Sequence, residues 1–221
     1  EGGGRLRLVY VMTDGAALPL FFSRTVRELQ EKGLLTATIT VGHAFGGDFE
    51  AVNVYSGLLA AKHVAGADVI VVGMGPGVVG TGTRFGTTAI EQGEVLNAAY
   101  VLGGRPVAAL RLNFADPRSR HRGLSHHTIT NLSRVALAPA VVPVPVLAPE
   151  EAEVVWEQLE QTGIAGRHRL VTVDASCIFT ALDQLGLKVD TMGRGLHTVP
   201  EFFLAAGAAG LTAAALAREV Q

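Results

Sequence analysis

The sequence predicts an α/β protein, a mainly parallel sheet of about seven strands with helices on both faces. Short β-branched apolar runs alternate with longer helical patterns seven times along the 221 residues. The run Val69-Ile70-Val71-Val72 is continuously apolar, as in a strand buried on both faces. Gly33, Gly66, Gly103, Gly163 and Gly186 each fall where a helix should end, at the left-handed position that follows helices. Repeated βα units make a parallel sheet covered by helices. Right-handed crossovers then favour a Rossmann-like, doubly wound open sheet. A TIM-like barrel is the lesser option, because seven units are counted and not eight.

The predicted strands are Arg5–Thr13, Thr36–Val41, Ala67–Gly73, Arg105–Leu112, Ala140–Leu147, His168–Asp174 and Leu187–Thr191. Helices are expected near 19–32, 48–64, 87–102, 126–137, 150–162, 176–186 and 198–219. No linker, repeat or low-complexity tract interrupts this pattern, so residues 1–221 are expected to form a single domain. Glu1-Gly2-Gly3-Gly4 looks like a trimmed end, and the chain is read as the C-terminal part of a longer one.

Composition narrows the partners. A net charge of −2 does not suit a domain that wraps nucleic acid. One cysteine excludes a disulfide framework and a four-cysteine zinc site, and fits a reducing, cytoplasmic setting. Cys177, at a helix start, is read as a small buried residue. The longest uncharged run, Phe202 to Ala217, falls short of the roughly 20 strongly apolar residues that cross a membrane. The Ala- and Gly-rich final helix, Phe202–Val220, allows packing within the sheet's cover or a homodimer.

In such folds ligands bind where the βα loops gather, at the C-terminal ends of the strands. The unusual residues collect there. The αβ connections are plain caps and turns, whereas the βα loops read Thr13-Asp14-Gly15-Ala16-Ala17, then 42–48, 73–86 and 113–128. The glycine-rich loop 73–86 offers Gly75, Gly77, Gly80, Thr81, Gly82, Thr83 and Arg84 as a cradle for an anion. Gly75-x-Gly77-x-x-Gly80 matches the dinucleotide fingerprint in form, but it follows the third strand, and no acidic residue ends the next one. No tightly bound dinucleotide is therefore expected. Loop 113–128 carries Arg118, Arg120, Arg122, His121, His126 and His127 with one acid, Asp116. Arginine forks suit carboxylate and phosphate oxygens. Ser125 is placed to cap the helix that follows.

For proton transfer the candidates are His43 and His126, with Asp14 and Asp48 to orient them or to hold a divalent metal. Imidazole and carboxylate together suit zinc, manganese or iron, but the spacing is not diagnostic, and His126 and His127 would point to different sides of a helix. The metal and its ligands are left open.

Four strings carry a resemblance: Met12-Thr-Asp-Gly-Ala-Ala-Leu-Pro19, Gly42-His-Ala-Phe-Gly-Gly-Asp48, Gly73-Met-Gly-Pro-Gly-Val-Val-Gly-Thr-Gly-Thr83 and Arg120-His-Arg-Gly-Leu-Ser-His-His-Thr128. Over residues 8 to 210 the chain resembles a bacterial family of domains of unknown function whose members run longer at the N-terminus. The resemblance implies a cytoplasmic bacterial protein and implies no chemistry.

The residues alone point to binding of a small anionic, phosphate-bearing metabolite or nucleotide, with phosphoester hydrolysis or group transfer as the reaction class. A non-catalytic ligand-sensing module is the alternative, and a nucleotide-dependent oxidoreductase the weaker one. No nucleic acid or membrane partner is expected.

Overall fold

A computed structural model of the chain describes residues 4–15, 17–75 and 77–219. Ala16 and Pro76, the first three residues and Val220, all part of the expectations above, lie outside the described residues. The chain divides into two compact units, Glu1–Gly104 with Leu216–Gln221, and Arg105–Ala215.

The first unit holds β1 (Leu8–Thr13), α1 (Arg24–Glu31), β2 (Ala37–Val41), β3 (Phe49–Ala51), α2 (Val54–His63), β4 (Val69–Met74) and α3 (Glu91–Val101). Its strands form one parallel sheet in the order β3-β2-β1-β4. Alternation along β1 splits the side chains between two layers. Val9 and Val11 pack with Ile39, Val41 and Ala61 of α2, while Met12 packs with Leu20 and Val26 of α1. α2 comes so close that a Cβ on Gly57 would lie 2.5 Å from the Val41 Cγ1, so only glycine fits at that point of the helix.

The helix ends follow local chemistry. Ser23 accepts from the Val26 N–H at the start of α1, and Asn53 and Ser56 form a reciprocal capping box on α2. The five glycines expected to end helices all adopt positive φ, between 62° and 77°. Residues 49–51, expected to be helical, instead add a parallel edge strand beside Ile39–Val41, and the helix waits for its Asn53 cap.

The second unit holds β5 (Leu112–Asn113), β6 (Gly123–Leu124), α4 (His126–Thr130), β7 (Val141–Pro145), α5 (Pro149–Gln161), β8 (Arg169–Val173), α6 (Cys177–Leu185), β9 (Asp190–Thr191), β10 (Arg194–Gly195) and α7 (Pro200–Arg218) as far as Ala215. β7 and β8 are parallel and joined through α5, whose Val155 and Leu159 are fully buried. β5–β6 and β9–β10 are antiparallel hairpins. The protein is thus mixed α/β with a parallel four-stranded sheet, and the described residues form no seven-stranded sheet.

Two prolines explain where the expected sheet stops. The Val141 N–H donates to Pro106 O and the Ala108 N–H to Val141 O, so residues 106–108 begin to pair with β7. The next donors on that side would be residues 143 and 145, because donors alternate sides along a strand. Both are proline and have no N–H. The strand expected over 105–112 therefore touches β7 only at Val107, and two residues, Leu112–Asn113, remain as strand.

Two further departures concern the C-terminal third. Cys177 is exposed, not buried. By length and composition α7 is long and apolar enough to cross a membrane, although the uncharged run within it is shorter; 28% of its apolar window is buried. Its first turn is fixed by Glu201, whose buried carboxylate accepts from the Phe114 N–H at 2.7 Å.

Asp68 ties the start of β4 to the residue before β1. Its carboxylate accepts from the Arg7 backbone N–H at 2.8 Å and from the guanidinium at 3.1 and 3.2 Å. These bonds lower its pKa from 3.8 to about 2. The unfolded chain takes up this proton first on acidification, so the stabilisation is complete above about pH 4 and fades as pH falls toward 2. Asp68→Asn is expected to lower the urea midpoint at pH 7 and to match the wild type near pH 2. An equal difference at both pH values would show that the pair contributes nothing through ionisation.

Candidate functional site

The candidates gather in two places, one in each unit. In the first unit β1 and β4 end beside one another, in register from Leu8↔Val69 to Thr13↔Met74. The buried Thr13 hydroxyl donates to Glu91 at 2.8 Å, and burial raises the Glu91 pKa. Asp14 accepts from the His43 N–H at 3.0 Å, while the His43 ring stands out in solvent, with 86% of its side chain exposed. Asp48 is held elsewhere. It accepts from the N–H and hydroxyl of Thr38, both at 2.8 Å, at the N-terminal end of β2, so it does not join Asp14 at the C-terminal end.

The glycine-rich segment is largely self-satisfied. Thr81 N–H donates to Gly86 O at 2.7 Å, Gly86 N–H donates to the Thr83 hydroxyl at 3.1 Å, and the two threonine hydroxyls meet at 3.0 Å. Gly77, Gly80, Gly82 and Arg84 are exposed, and Gly75 is half-buried. The Thr87 side chain accepts from the Ala89 N–H where the helical segment begins, and Glu91 and Glu94 occupy the first turn of α3. Those carboxylates already complement the helix dipole where a phosphate would sit.

The second cluster is built by the hairpin β5–β6, which closes residues 114–122 into a loop. Gln158 of α5 clamps its return. The amide oxygen accepts from the Leu124 N–H at 2.7 Å, and the amide nitrogen donates to Arg122 O at 3.1 Å. Gly123 between them has φ +71°, and a Cβ there would run into the Gln158 amide. Asp116 shapes the outgoing arm. It is buried, and it accepts from the Arg118 N–H at 2.9 Å and from the guanidinium at 2.9 and 2.8 Å. Arg118 holds that carboxyl well below the usual range. Asp116 and Arg118 thus spend their charges on each other, and Arg120 and Arg122 remain exposed.

This loop places His121 against the two histidines that open α4. Ring centroids lie 3.9 Å apart for His126 and His127, 4.8 Å for His121 and His126, and 5.7 Å for His121 and His127. His126 and His127, expected on different sides of a helix, thus share one cluster. Ser125 caps α4 as expected, accepting from the His127 N–H, and its hydroxyl lies 3.1 Å from His121 Nδ1. After Thr130 the backbone widens into a π turn over Asn131–Val135, a feature frequent at functional sites. Burial lowers all three imidazole pKa values. Arg118 adds to the effect on His121, Arg120 to that on His126, and the other two rings to that on His127, which falls to about 4. The rings are therefore neutral near pH 7 and keep lone pairs to donate.

Three residues here lay outside the sequence-derived site: Gln158, Glu91 and, as a ligating group, His121. Gln158 is 34 residues from its partner Leu124, and no local spacing signals the contact. His121 sits among arginines and reads there as part of a basic run.

A family model described as a protein of unknown function (DUF3866) matches residues 2–210, and the chain belongs to that family. No curated protein matches the chain.

Gln158→Ala removes both side-chain bonds that clamp the return of the 114–122 loop. It is expected to cost about 1–2 kcal/mol, because the Leu124 N–H loses its partner, and to speed proteolytic cleavage between residues 114 and 122. Limited proteolysis with mapped fragments checks this. An unchanged cleavage rate would mean that other contacts hold the loop.

Proposed function

We propose that this DUF3866 member binds a small phosphate-bearing anion at the 113–128 segment of its second unit and acts on it by phosphoester hydrolysis or group transfer. The observation that carries the reading is local charge. Residues 118–127 hold three arginines and three histidines in a chain of net charge −2. The nearest acid, Asp116, is taken by Arg118, and neither Arg120 nor Arg122 forms an ion pair among the described residues. Guanidinium forks left without a carboxylate suit phosphate oxygens. His126, half-buried and neutral, is the group to move a proton at the bound anion. A cytoplasmic location belongs to the same reading, supported by the free, exposed Cys177.

A second reading concerns the first unit. Its strand order, β3-β2-β1-β4, supports a doubly wound, Rossmann-like sheet, whose ligand crevice opens where the order reverses, between the ends of β1 and β4. Thr13, Asp14 and Glu91 line up with that crevice by their places in the chain. With Glu91 and Glu94 in the first turn of α3, the ligand favoured here is one that offers hydroxyl or cationic groups, not a bare phosphate.

Isothermal titration of chelator-treated protein with pyrophosphate tests the first reading. Submillimolar binding is expected, weakened about tenfold or more when Arg120→Ala and Arg122→Ala are combined, which corresponds to about 1.4 kcal/mol. Binding that is absent from the wild type, or unchanged in the double variant, would overturn it.

A further inference from the structure

We propose that His121, His126 and His127 are the three protein ligands of a divalent transition-metal ion, zinc by the chemistry of the donors, with a fourth coordination position left open. One ligating nitrogen from each ring lies within 4.8 Å of the other two. Three nitrogens on one tetrahedral zinc stand about 3.3 Å apart. The rings therefore close on an ion by drawing together about 1.5 Å at most, a distance that small side-chain rotations supply.

A second observation separates these rings from histidines that merely fill a core. His168 shows what a satisfied core histidine looks like in this fold. Its Nδ1 accepts from the Ala140 N–H at 3.2 Å, and its Nε2 lies 2.7 Å from Leu132 O, so both ring nitrogens are spent. His127 Nδ1 is buried and has no hydrogen-bond partner among the described residues. A buried polar nitrogen in that condition is costly unless something binds it. His121 is prepared in another way. A proton on its Nδ1, donated to the Ser125 hydroxyl at 3.1 Å, leaves the Nε2 lone pair for a metal. A ligating imidazole usually donates its other N–H to an outer-shell acceptor, most often a carboxylate, a carbonyl or water, and here the Ser125 hydroxyl takes that place.

The donor set also selects the ion. Among the described residues the group consists of three imidazoles with no thiolate or carboxylate in it, a set that suits zinc, copper, nickel or iron, and not magnesium or calcium. Three neutral ligands leave the full double charge on the ion and one position for water or an anion, the arrangement of catalytic zinc and not of structural zinc. Arg118 and Arg120 beside the rings oppose a bare cation, so an anionic fourth ligand completes the balance. The metal ligands and the exposed arginines that hold the anion are different residues, so the two kinds of binding are tested apart; His126 alone is shared, and with an ion bound its coordinated lone pair no longer takes a proton.

Untagged, chelator-treated full chain is titrated with Co²⁺, read by its visible absorption, and with Zn²⁺, read by calorimetry. One ion per chain is expected, with micromolar or tighter affinity. His126→Ala and His127→Ala should each weaken it about tenfold or more, while Arg120→Ala with Arg122→Ala should not. X-ray absorption of the zinc-loaded wild type should count three imidazoles, a readout that does not require any variant to fold. Absence of stoichiometric binding, affinity unchanged in both histidine variants, or fewer than three imidazoles at the zinc would each overturn the site. Loss of pyrophosphate binding in the arginine variant with metal binding intact would leave it standing.

Discussion

The missing backbone donors of Pro143 and Pro145 set the course of the second unit. β7 spends its remaining N–H groups on β8, and toward residues 106–108 only Val141 can donate. A ladder cannot grow on that side without donors. The segment that would have been a central strand therefore runs irregularly. Its last two residues pair instead with Gly123–Leu124 in an antiparallel hairpin. That hairpin turns a stretch of chain with four basic residues, Arg118, Arg120, His121 and Arg122, into a closed loop above the start of α4.

Two interactions then convert the loop into a defined shape. The Asp116–Arg118 pair fastens one arm by three bonds to a single carboxylate, and Gln158 fastens the other through both ends of its amide. The first also neutralises Asp116, the acidic residue within the loop itself. What remains is a set of neutral imidazoles and exposed guanidiniums, a combination that repels cations at long range yet presents lone pairs at short range. Such a site favours an ion that brings, or attracts, an anion with it. The metal and phosphate readings meet in that single electrostatic condition.

The first unit illustrates the opposite arrangement. Its loops are tied down mainly by hydroxyl and carboxylate groups, Thr38 with Asp48, Thr13 with Glu91, and Thr81 with Thr83 and Gly86. Carboxylates gather where the sheet order reverses, and one of them, Glu91, is pushed toward its neutral form by burial. The glycine-rich segment, the most conspicuous string in the sequence, forms a turn bonded to itself.

Much of the local structure was legible in the residues. Alternation and continuous apolar runs located β1, β2 and β4, five glycines marked helix ends, and Ser125 marked the start of α4, because each of these signals acts within a few residues of itself. The basic loop was legible as composition. Its geometry was not. That His126 and His127 share a cluster with His121, that Asp116 is already spent, and that Gln158 closes the loop depend on contacts across the hairpin and onto α5. The length of a sheet is likewise a property of two strands at once: β7 looks like any apolar strand until its neighbour asks for donors that two prolines lack. The sequence by itself determined the main strands of the first unit, most helix ends and where charge collects, since those follow from side-chain pattern and local capping. Only the tertiary structure decided which polar groups are consumed by one another and which are left to bind, because hydrogen-bond satisfaction is settled between residues distant in the chain.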